Sequence, residues 1–594
     1  MLLLHGADRP QAVAHRATFP GDLEPSAVEA HALGGMNIYK ISLIEPNHVT
    51  TRDDEGRILG SVRARVPLHT QPLVAASLRE NSQVPLVIEV FNPTLLAPSQ
   101  ETYLRASKYG AIAMEHSYRG VPIESHHFTR IASESDICGI TANFTERANV
   151  AVLIARRLRE ISPDIKIVYG GSDALHRPDF YLTEGGGDVI VPKDAEITGP
   201  QVIDALLGVG CLDKIPGITY RDGERIQSTP GIPSHPASTE RHRMDLVPLP
   251  ALDLVVGQIP MWTEDHEGPL PNGVHPPLTY AEFSRGCHEN CSFCATAGVR
   301  YSYASPRYVE QYLQHLKHFG VSTINLVEDN ILTRILLKRG QGRFDLLETF
   351  QLLRDHGFQW CFGNGIQYSL LRRRDGTFDH EVLEAMFSNC YCVYIPLEDI
   401  PRPGSGFQYP KLFGLSPRSV TAASAEKIFR ENHYILEAIA GLGVPRMTLG
   451  FILGAARESP SDILHVEESL QRLRDHLLEV SPSMEQLYMP HIWMALPGTK
   501  DYRDLCAIID QDPARINPEY FQFAIGTCGP KWIQERLRLI ESLNGKETLL
   551  DWNRGRYPHG VSRAPVSSSE STVDHCATGI PSQTSKVKPS IVCQ

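Results

Sequence analysis

Three cysteines, Cys287, Cys291 and Cys294, fall in the run Cys-His-Glu-Asn-Cys-Ser-Phe-Cys, spaced C-x3-C-x2-C. Thiolates this close in a chain can ligate one metal centre. Structural zinc takes four protein ligands in a closed tetrahedron. Iron–sulfur cubanes are held by cysteine thiolates, and a three-cysteine site leaves one iron open to a further ligand. On spacing alone, a zinc knuckle or three unrelated buried cysteines also stand. The remaining cysteines of the twelve have no ligand spacing. Cys390 and Cys392, two apart on an expected strand, read as small core residues. Cys576 and Cys593 lie in a Ser-, Thr- and Pro-rich tail and are not expected to be ligands.

Such a trio needs a rigid support. A strand-like run over 278–284 precedes it, and Arg285-Gly286 turns into the cysteine loop. From there to about residue 500, strand and helix patterns alternate. Strands are expected over 280–284, 323–327, 360–363, 390–396, 446–453 and 484–491, and helices over 306–319, 346–356, 380–387, 424–442 and 460–476. Six strands alternating with helices imply a parallel sheet curled into a partial barrel, whose chemistry sits in the loops at the carboxyl ends of the strands. Polar residues fall at those ends. Glu328 and Asp329 follow the second strand, Gly363, Asn364, Gly365 and Gln367 the third, and Glu398 the fourth. The run Gly-Phe-Ile-Leu-Gly occupies 450–454, and Pro-Gly-Thr occupies 497–499 after the sixth strand. Tyr308 and Glu310 open the first helix after the cysteines, where a glutamate also suits the helix dipole.

The half before the cysteines reads as α/β too. A strand is expected over 37–44, a polar loop over 53–65, a helix core over 73–78, and a strand over 84–91 with Pro85 at its start or on an edge. The clearest block comes next. A short strand over 136–141 ends in Gly-Ile-Thr141, a helix covers 148–160, and a strand over 165–169 closes in Gly170-Gly171-Ser172. Gly-Asp-Val-Ile-Val and then Glu196 follow. Strand–helix–strand units of this size are parallel βαβ. A glycine pair at the carboxyl end of such a strand lets a ligand approach the backbone, although a plain tight turn would look the same. The expected divisions are a loosely structured lead-in over 1–35, a Rossmann-like domain over 36–220 and a Pro-rich linker over 221–277. The barrel over 278–500 is then followed by a helical C-terminal region over 501–560 and a disordered tail over 561–594.

The chain has 594 residues, is 42% hydrophobic and 21% charged, and carries a net charge of −12. No basic run points to nucleic acid. No run of about 18 apolar residues suggests a membrane span, and the N-terminus does not read as a signal peptide. So long a chain does not suit a secreted disulfide framework. A cytoplasmic monomer is expected, in a compartment where a reduced cluster survives.

C-x3-C-x2-C with Phe293 before its third cysteine resembles the cluster motif of radical S-adenosylmethionine (SAM) enzymes. The resemblance implies a [4Fe-4S] cluster on Cys287, Cys291 and Cys294, with SAM on the open iron. It also implies SAM contacts from Glu328, Asp329, Gln367 and Glu398. The block over 36–220 resembles the cobalamin-binding domain that precedes the barrel in the cobalamin-dependent (class B) branch of that family, implying a corrin near Thr141, Gly170, Gly171 and Ser172. One departure stands out: the D-x-H-x-x-G motif, whose histidine ligates cobalt from below, occurs nowhere in the chain. The loop where that histidine would sit offers Arg63, Arg65 and His69 instead. An arginine there cannot donate a lone pair; Arg65 is the candidate beneath the cobalt, and the other reading makes both arginines surface charges or contacts to the corrin's amide edge.

What the branch implies is methyl transfer through methylcobalamin to an unactivated carbon of a natural-product precursor, with a flavodoxin or ferredoxin as electron donor. Layout and the missing motif together resemble the members that methylate C2 of L-tryptophan to give 2-methyltryptophan in thiopeptide antibiotic biosynthesis. Tyr308, Glu310 and Glu398 are then the candidates to take the indole proton. A methylase of another substrate, or a radical SAM oxidase or cyclase, is the alternative.

Overall fold

The computed structural model describes residues 37–58, 65–109, 112–192, 194–231, 243–265, 268–271, 273–297, 299–337, 340–373, 375–397, 400, 422–453, 460–493, 496–509 and 531–545. The lead-in over 1–35, the tail over 561–594, Arg63, Gly454 and Glu398 lie outside them.

The N-terminal half is built on β1 (Tyr39–Ile44), β2 (His48–Asp53), α1 (Thr70–Asn81), β3 (Leu86–Phe91), β4 (Glu101–Tyr109), β5 (Ile112–Arg119), α2 (His126–Glu134), β6 (Ile137–Thr141), α3 (Ala148–Ile161), β7 (Lys166–Gly170), β8 (Val189–Val191) and α4 (Ala195–Leu206). Hairpin strands β9 (Thr219–Asp222) and β10 (Arg225–Ser228) complete it. Its main sheet runs β10-β9-β8-β7-β6-β1-β3, parallel from β8 to β3 and antiparallel in the hairpin. Apolar residues explain the strands. Ile41, Leu43, Ile137, Ile140, Val168 and Val189 are all buried, as parallel strands covered on both faces require. Helix α3 turns Val150, Ala151, Ile154, Ala155 and Leu158 inward at helical spacing.

Two features differ from the sequence reading. Residues 221–277 are not all linker: β10 lies inside that span and extends the first sheet. Further along it, Leu252, Val255, Ile259 and Trp262 are buried in the core. The second difference is a separate antiparallel sheet, β2-β5-β4, which the sequence reading does not include. Its strands keep a solvated face, so Arg52, Glu101 and Ser117 interact there.

The C-terminal half comprises β11 (Leu278–Ala281), α5 (Pro306–His318), β12 (Thr323–Leu326), α6 (Gln341–Asp355), β13 (Gln359–Phe362), α7 (His380–Phe387), β14 (Cys390–Pro396), α8 (Ala422–Gly441), β15 (Arg446–Leu453), α9 (Pro460–Val480) and β16 (Glu485–Ile492). The six strands pair in sequence order, every pair parallel. All six carboxyl ends therefore open on one side. Ser305 starts α5 by accepting the Tyr308 N–H at 3.3 Å, and Asp379 starts α7 by accepting the Val382 N–H at 3.4 Å.

Two helices follow, α10 (Lys500–Ile509) and α11 (Lys531–Asn544). The Asn544 side chain accepts from the Tyr488 N–H at 2.7 Å and donates to the Tyr488 carbonyl at 2.8 Å. α11 thus occupies the open edge of β16.

Candidate active site: two clefts at the carboxyl ends of two sheets

The first cleft lies above the N-terminal sheet. Thr141, Gly170 and Val191 stand side by side in the register of β6, β7 and β8 and all line it. Gly171 and Ser172 continue the lining. Gly171 has φ +130°, and a Cβ there would meet the Ala142 and Asn143 backbone at 2.6 Å, so only glycine leaves this rim bare. The Ser172 N–H donates to Asn143 Oδ1 at 3.3 Å. The Thr141 hydroxyl accepts from Gln71 Nε2 at 2.7 Å. Behind the polar rim is an apolar slot between sheet and helices, made by Leu73, Leu78 and Ile203 with Val168. Counted out to its mouth, the cleft encloses ≈ 1210 Å³.

The far wall comes from the barrel half. Arg285 pairs with Glu282 at 2.8 Å, with Asp194 at 2.9 Å and with Glu196 at the start of α4. Burial alone would push the Glu282 carboxyl up, but Arg285 and His69 hold it down to about 2. The Arg285 guanidinium is raised well above its ordinary value: burial lowers it, and Glu196, Glu282 and Asp194 more than offset that. Arg65 is exposed and does not line the cleft. Its backbone carbonyl accepts from Thr263 and Glu264. Of the basic residues the sequence offers here, His69 lines the cleft and Arg65 lies away from it.

The second cleft, ≈ 1120 Å³ to its mouth, lies over the barrel sheet. Cys287, Phe293 and Cys294 line one side. Cys291 is buried behind them, and none of the three is in a disulfide. Burial pushes the Cys287 thiol up, yet hydrogen bonds from His288, the Glu289 N–H and Asn330 outweigh it and hold the thiol below its ordinary value. His288 is raised to about 9 by Cys287 first and then by Glu289. Asn330 also donates to Gln367 at 3.2 Å, and Gln367 donates to Glu289 at 2.9 Å. Asp329, accepting the Gly286 N–H at 2.7 Å, lines the same cleft, as do Asn364, Gly365 and Gln367.

Three expected residues take other places. Glu328 is buried under the cysteine loop, bonded to the Phe283 N–H at 3.3 Å and to the Ser284 hydroxyl, and burial raises its carboxyl to about 7. Tyr308 is buried against Tyr312, away from the cleft lining. Glu310 is exposed and accepts from Gln314 one helical turn on. Glu328 thus braces the loop, and neither residue of α5 faces either cleft.

A further pair in the second cleft has no signature in the sequence. Tyr394 on β14 and His491 on β16 both line it, with the phenol oxygen 2.9 Å from His491 Nε2. Burial pushes the His491 ring down to about 4, so it is neutral, and its Nε2 shares a hydrogen bond with the phenol oxygen. The room for this contact is Gly450 on the strand between, where any Cβ would land on the Tyr394 oxygen. Trp493 lines the same wall and donates its indole N–H to Asp501 at 2.9 Å. In the Pro-Gly-Thr turn, Thr499 accepts the Tyr502 N–H at 3.1 Å and so caps α10.

Known structures share this arrangement. The cobalamin-dependent S-adenosylmethionine radical enzyme OxsB, with aqua-cobalamin bound, superposes with TM-score 0.54 at 15% identity, covering 85% of this chain and 66% of OxsB. The radical S-adenosylmethionine methyltransferase TsrM from Kitasatospora setae, with cobalamin and a [4Fe-4S] cluster bound, gives TM-score 0.53 at 14% identity over 83% of each chain. The chain has the fold of cobalamin-dependent radical SAM enzymes. No protein-family model matches it. An uncharacterized methyltransferase of Pyrococcus horikoshii is 28% identical over 277 residues, 45% of this chain and 52% of that protein. Cytidylyl-2-hydroxyethylphosphonate methyltransferase of Streptomyces wedmorensis is 23% identical over 283 residues, 44% of this chain and 50% of that protein. The chain thus spans about half the length of the curated relatives it matches.

Both clefts of this cobalamin-dependent radical SAM fold suit the groups such a fold carries. In the first, the bare Gly170-Gly171 rim and the apolar slot fit a corrin edge and its nucleotide tail, and His69 Nε2 is buried without a hydrogen bond. In the second, hydrogen-bond donors already surround the Cys287 sulfur, as a cluster thiolate requires. Among the described residues, no three His, Cys, Asp or Glu side chains converge as they would on a single ion. A cubane makes no such demand, since each cysteine takes a different iron.

Proposed function

We propose that the chain is a cobalamin- and SAM-dependent methyltransferase. Cys287, Cys291 and Cys294 would hold a [4Fe-4S] cluster, Asp329, Asn330 and Gln367 would contact SAM, and the Gly170–Ser172 rim would receive the corrin. The observation that carries this reading is the pair of clefts, one at each sheet's carboxyl ends, with the cysteine loop between them. The relatives named as methyltransferases support it. When bound, the groups supply a methyl carrier and the means to recharge it, and the protein supplies placement and proton handling.

The chain's own residues define that placement. Arg285 begins the cysteine loop and anchors it to Asp194 and Glu196 of the N-terminal half. Phe293, Tyr394, Phe451 and Trp493 give the second cleft an aromatic lining suited to a flat apolar substrate. A substrate N–H or O–H reaching the Tyr394 oxygen could pass its proton through the phenol to neutral His491.

Tryptophan methylated at C2 is our substrate reading. The aromatic lining supports it, as does the likeness to TsrM with tryptophan and a SAM analogue bound, TM-score 0.52 at 14% identity over 84% of this chain and 89% of TsrM. The proton leaving the indole nitrogen is the one the Tyr394–His491 pair would take. The test is anaerobic reconstitution with iron, sulfide and hydroxocobalamin, then incubation with methyl-labelled SAM and tryptophan. Label in 2-methyltryptophan is expected. Label that reaches the corrin but not tryptophan would keep the class and remove the substrate. A protein holding neither cluster nor corrin would remove both.

A further inference from the structure

His69 is the one histidine among the residues lining the first cleft. It sits immediately before α1, in the N-cap position. Residues there usually spend their side chain on a free backbone N–H of the helix. The His69 side chain makes no such bond. Its Nε2 is buried without a hydrogen bond, and the nearest partner is the Glu282 carboxylate at 3.6 Å. The histidine therefore does no capping here.

Its neighbours give it a use. Arg285 pairs with the same Glu282 carboxylate that faces the His69 Nε2. A carboxylate facing Nε2 keeps the proton on that nitrogen. The lone pair is then on Nδ1, the arrangement that readies an imidazole to ligate a metal. Glu282 belongs to the barrel half and His69 to the N-terminal half, so the pair forms only when the cleft is assembled.

We propose that His69, oriented by Glu282, is the axial nitrogen ligand of a cobalt corrin bound in the first cleft. This rests on the corrin reading given above. It supplies a protein ligand from outside the D-x-H-x-x-G motif that the chain lacks. It also places a neutral donor where an arginine could donate nothing.

The test is electron paramagnetic resonance of the full chain, produced with nitrogen-15 histidine and reconstituted anaerobically with cob(II)alamin of natural isotopic composition. Ligation by His69 splits each cobalt line into a doublet, whereas the corrin's own benzimidazole gives a triplet. A doublet is expected in the parent protein, and its loss in His69→Gln with the corrin still bound. A triplet or unsplit lines in the parent protein with bound corrin would overturn the assignment and leave the corrin reading intact. A doublet that persists in His69→Gln would assign the nitrogen to another histidine. A parent protein that retains no corrin would overturn the assignment and the corrin reading together.

Discussion

A phenol bonded to a neutral imidazole can pass a substrate proton on to that ring, which then carries the positive charge. Tyr394 and His491 are placed that way, 2.9 Å apart in the lining of the barrel cleft. Tyr394→Phe removes the relay and keeps the ring. We expect it to slow single-turnover methyl transfer by about 10²-fold, the usual worth of one positioned acid–base group. Substrate affinity and cluster content should stay near those of the parent. A loss in affinity with an unchanged rate would make Tyr394 a binding residue only. Gly450→Ala tests the same contact without touching the phenol: its methyl would displace the Tyr394 oxygen, so a similar rate loss is expected with the phenol still present. Neither residue was legible in the chain, because they lie 97 positions apart and meet only when β14 and β16 flank β15. The cysteine trio was legible because one loop carries it. That Thr141, Gly170, Gly171 and Ser172 share one cleft was legible because parallel strands bring their last residues to one edge of the sheet. Arg65 misled because the ordered stretch between it and α1 brings His69, not Arg65, to the cleft.

At the scale of elements, the joint between the halves is the start of α4 against the turn after β11. Arg285 alone pairs with three carboxylates there, two from one half and one from the other. Removing it leaves partly buried charges unpaired, which typically costs about 3–5 kcal/mol. Arg285→Met should therefore lower the denaturation midpoint by that order and expose the segment between β10 and β11 to limited proteolysis. An unchanged midpoint and cleavage pattern would show that apolar packing holds the joint by itself. The elements themselves were largely readable. Strands β12 to β16 show as short runs of buried apolar residues, broken by a few polar ones such as Asn325 and Gln486, between helical periods. The β2-β5-β4 sheet was missed because its open face carries Arg52, Glu101 and Ser117 and blurs the alternation. The β9–β10 hairpin did leave a signal. Gly223-Glu224 is a two-residue turn with Gly223 at φ +62°, but the polar strands beside it looked like linker.

Across the whole molecule, buried titrating groups set how stability responds to acid. Burial pushes His116, His433 and His491 each down to about 4. The unfolded chain would protonate them near pH 6.5. Between about 6.5 and 4 the unfolded state binds protons that the folded state refuses, so stability falls as pH falls, by about 1.4 kcal/mol per unit for each ring. Glu328 opposes this. Its folded carboxyl, raised to about 7, stays protonated where the unfolded one has ionised, so its contribution is present below about 4.5 and lost as pH rises through 7. One glutamate against three histidines leaves a net of two protons, hence a slope of about 2–3 kcal/mol per pH unit from pH 6.5 to 4.5. Glu282, held to about 2, loses its contribution only below about 4.5 and does not alter that window. Urea midpoints of the apoprotein should therefore drop steeply between pH 6.5 and 5, and Glu328→Gln should steepen the drop. Turnover of the folded enzyme should not follow it, since His491 remains a neutral acceptor down to about pH 4. A urea midpoint that is level across that range would mean these rings titrate as if exposed, and the neutral relay in the barrel cleft would fail with it.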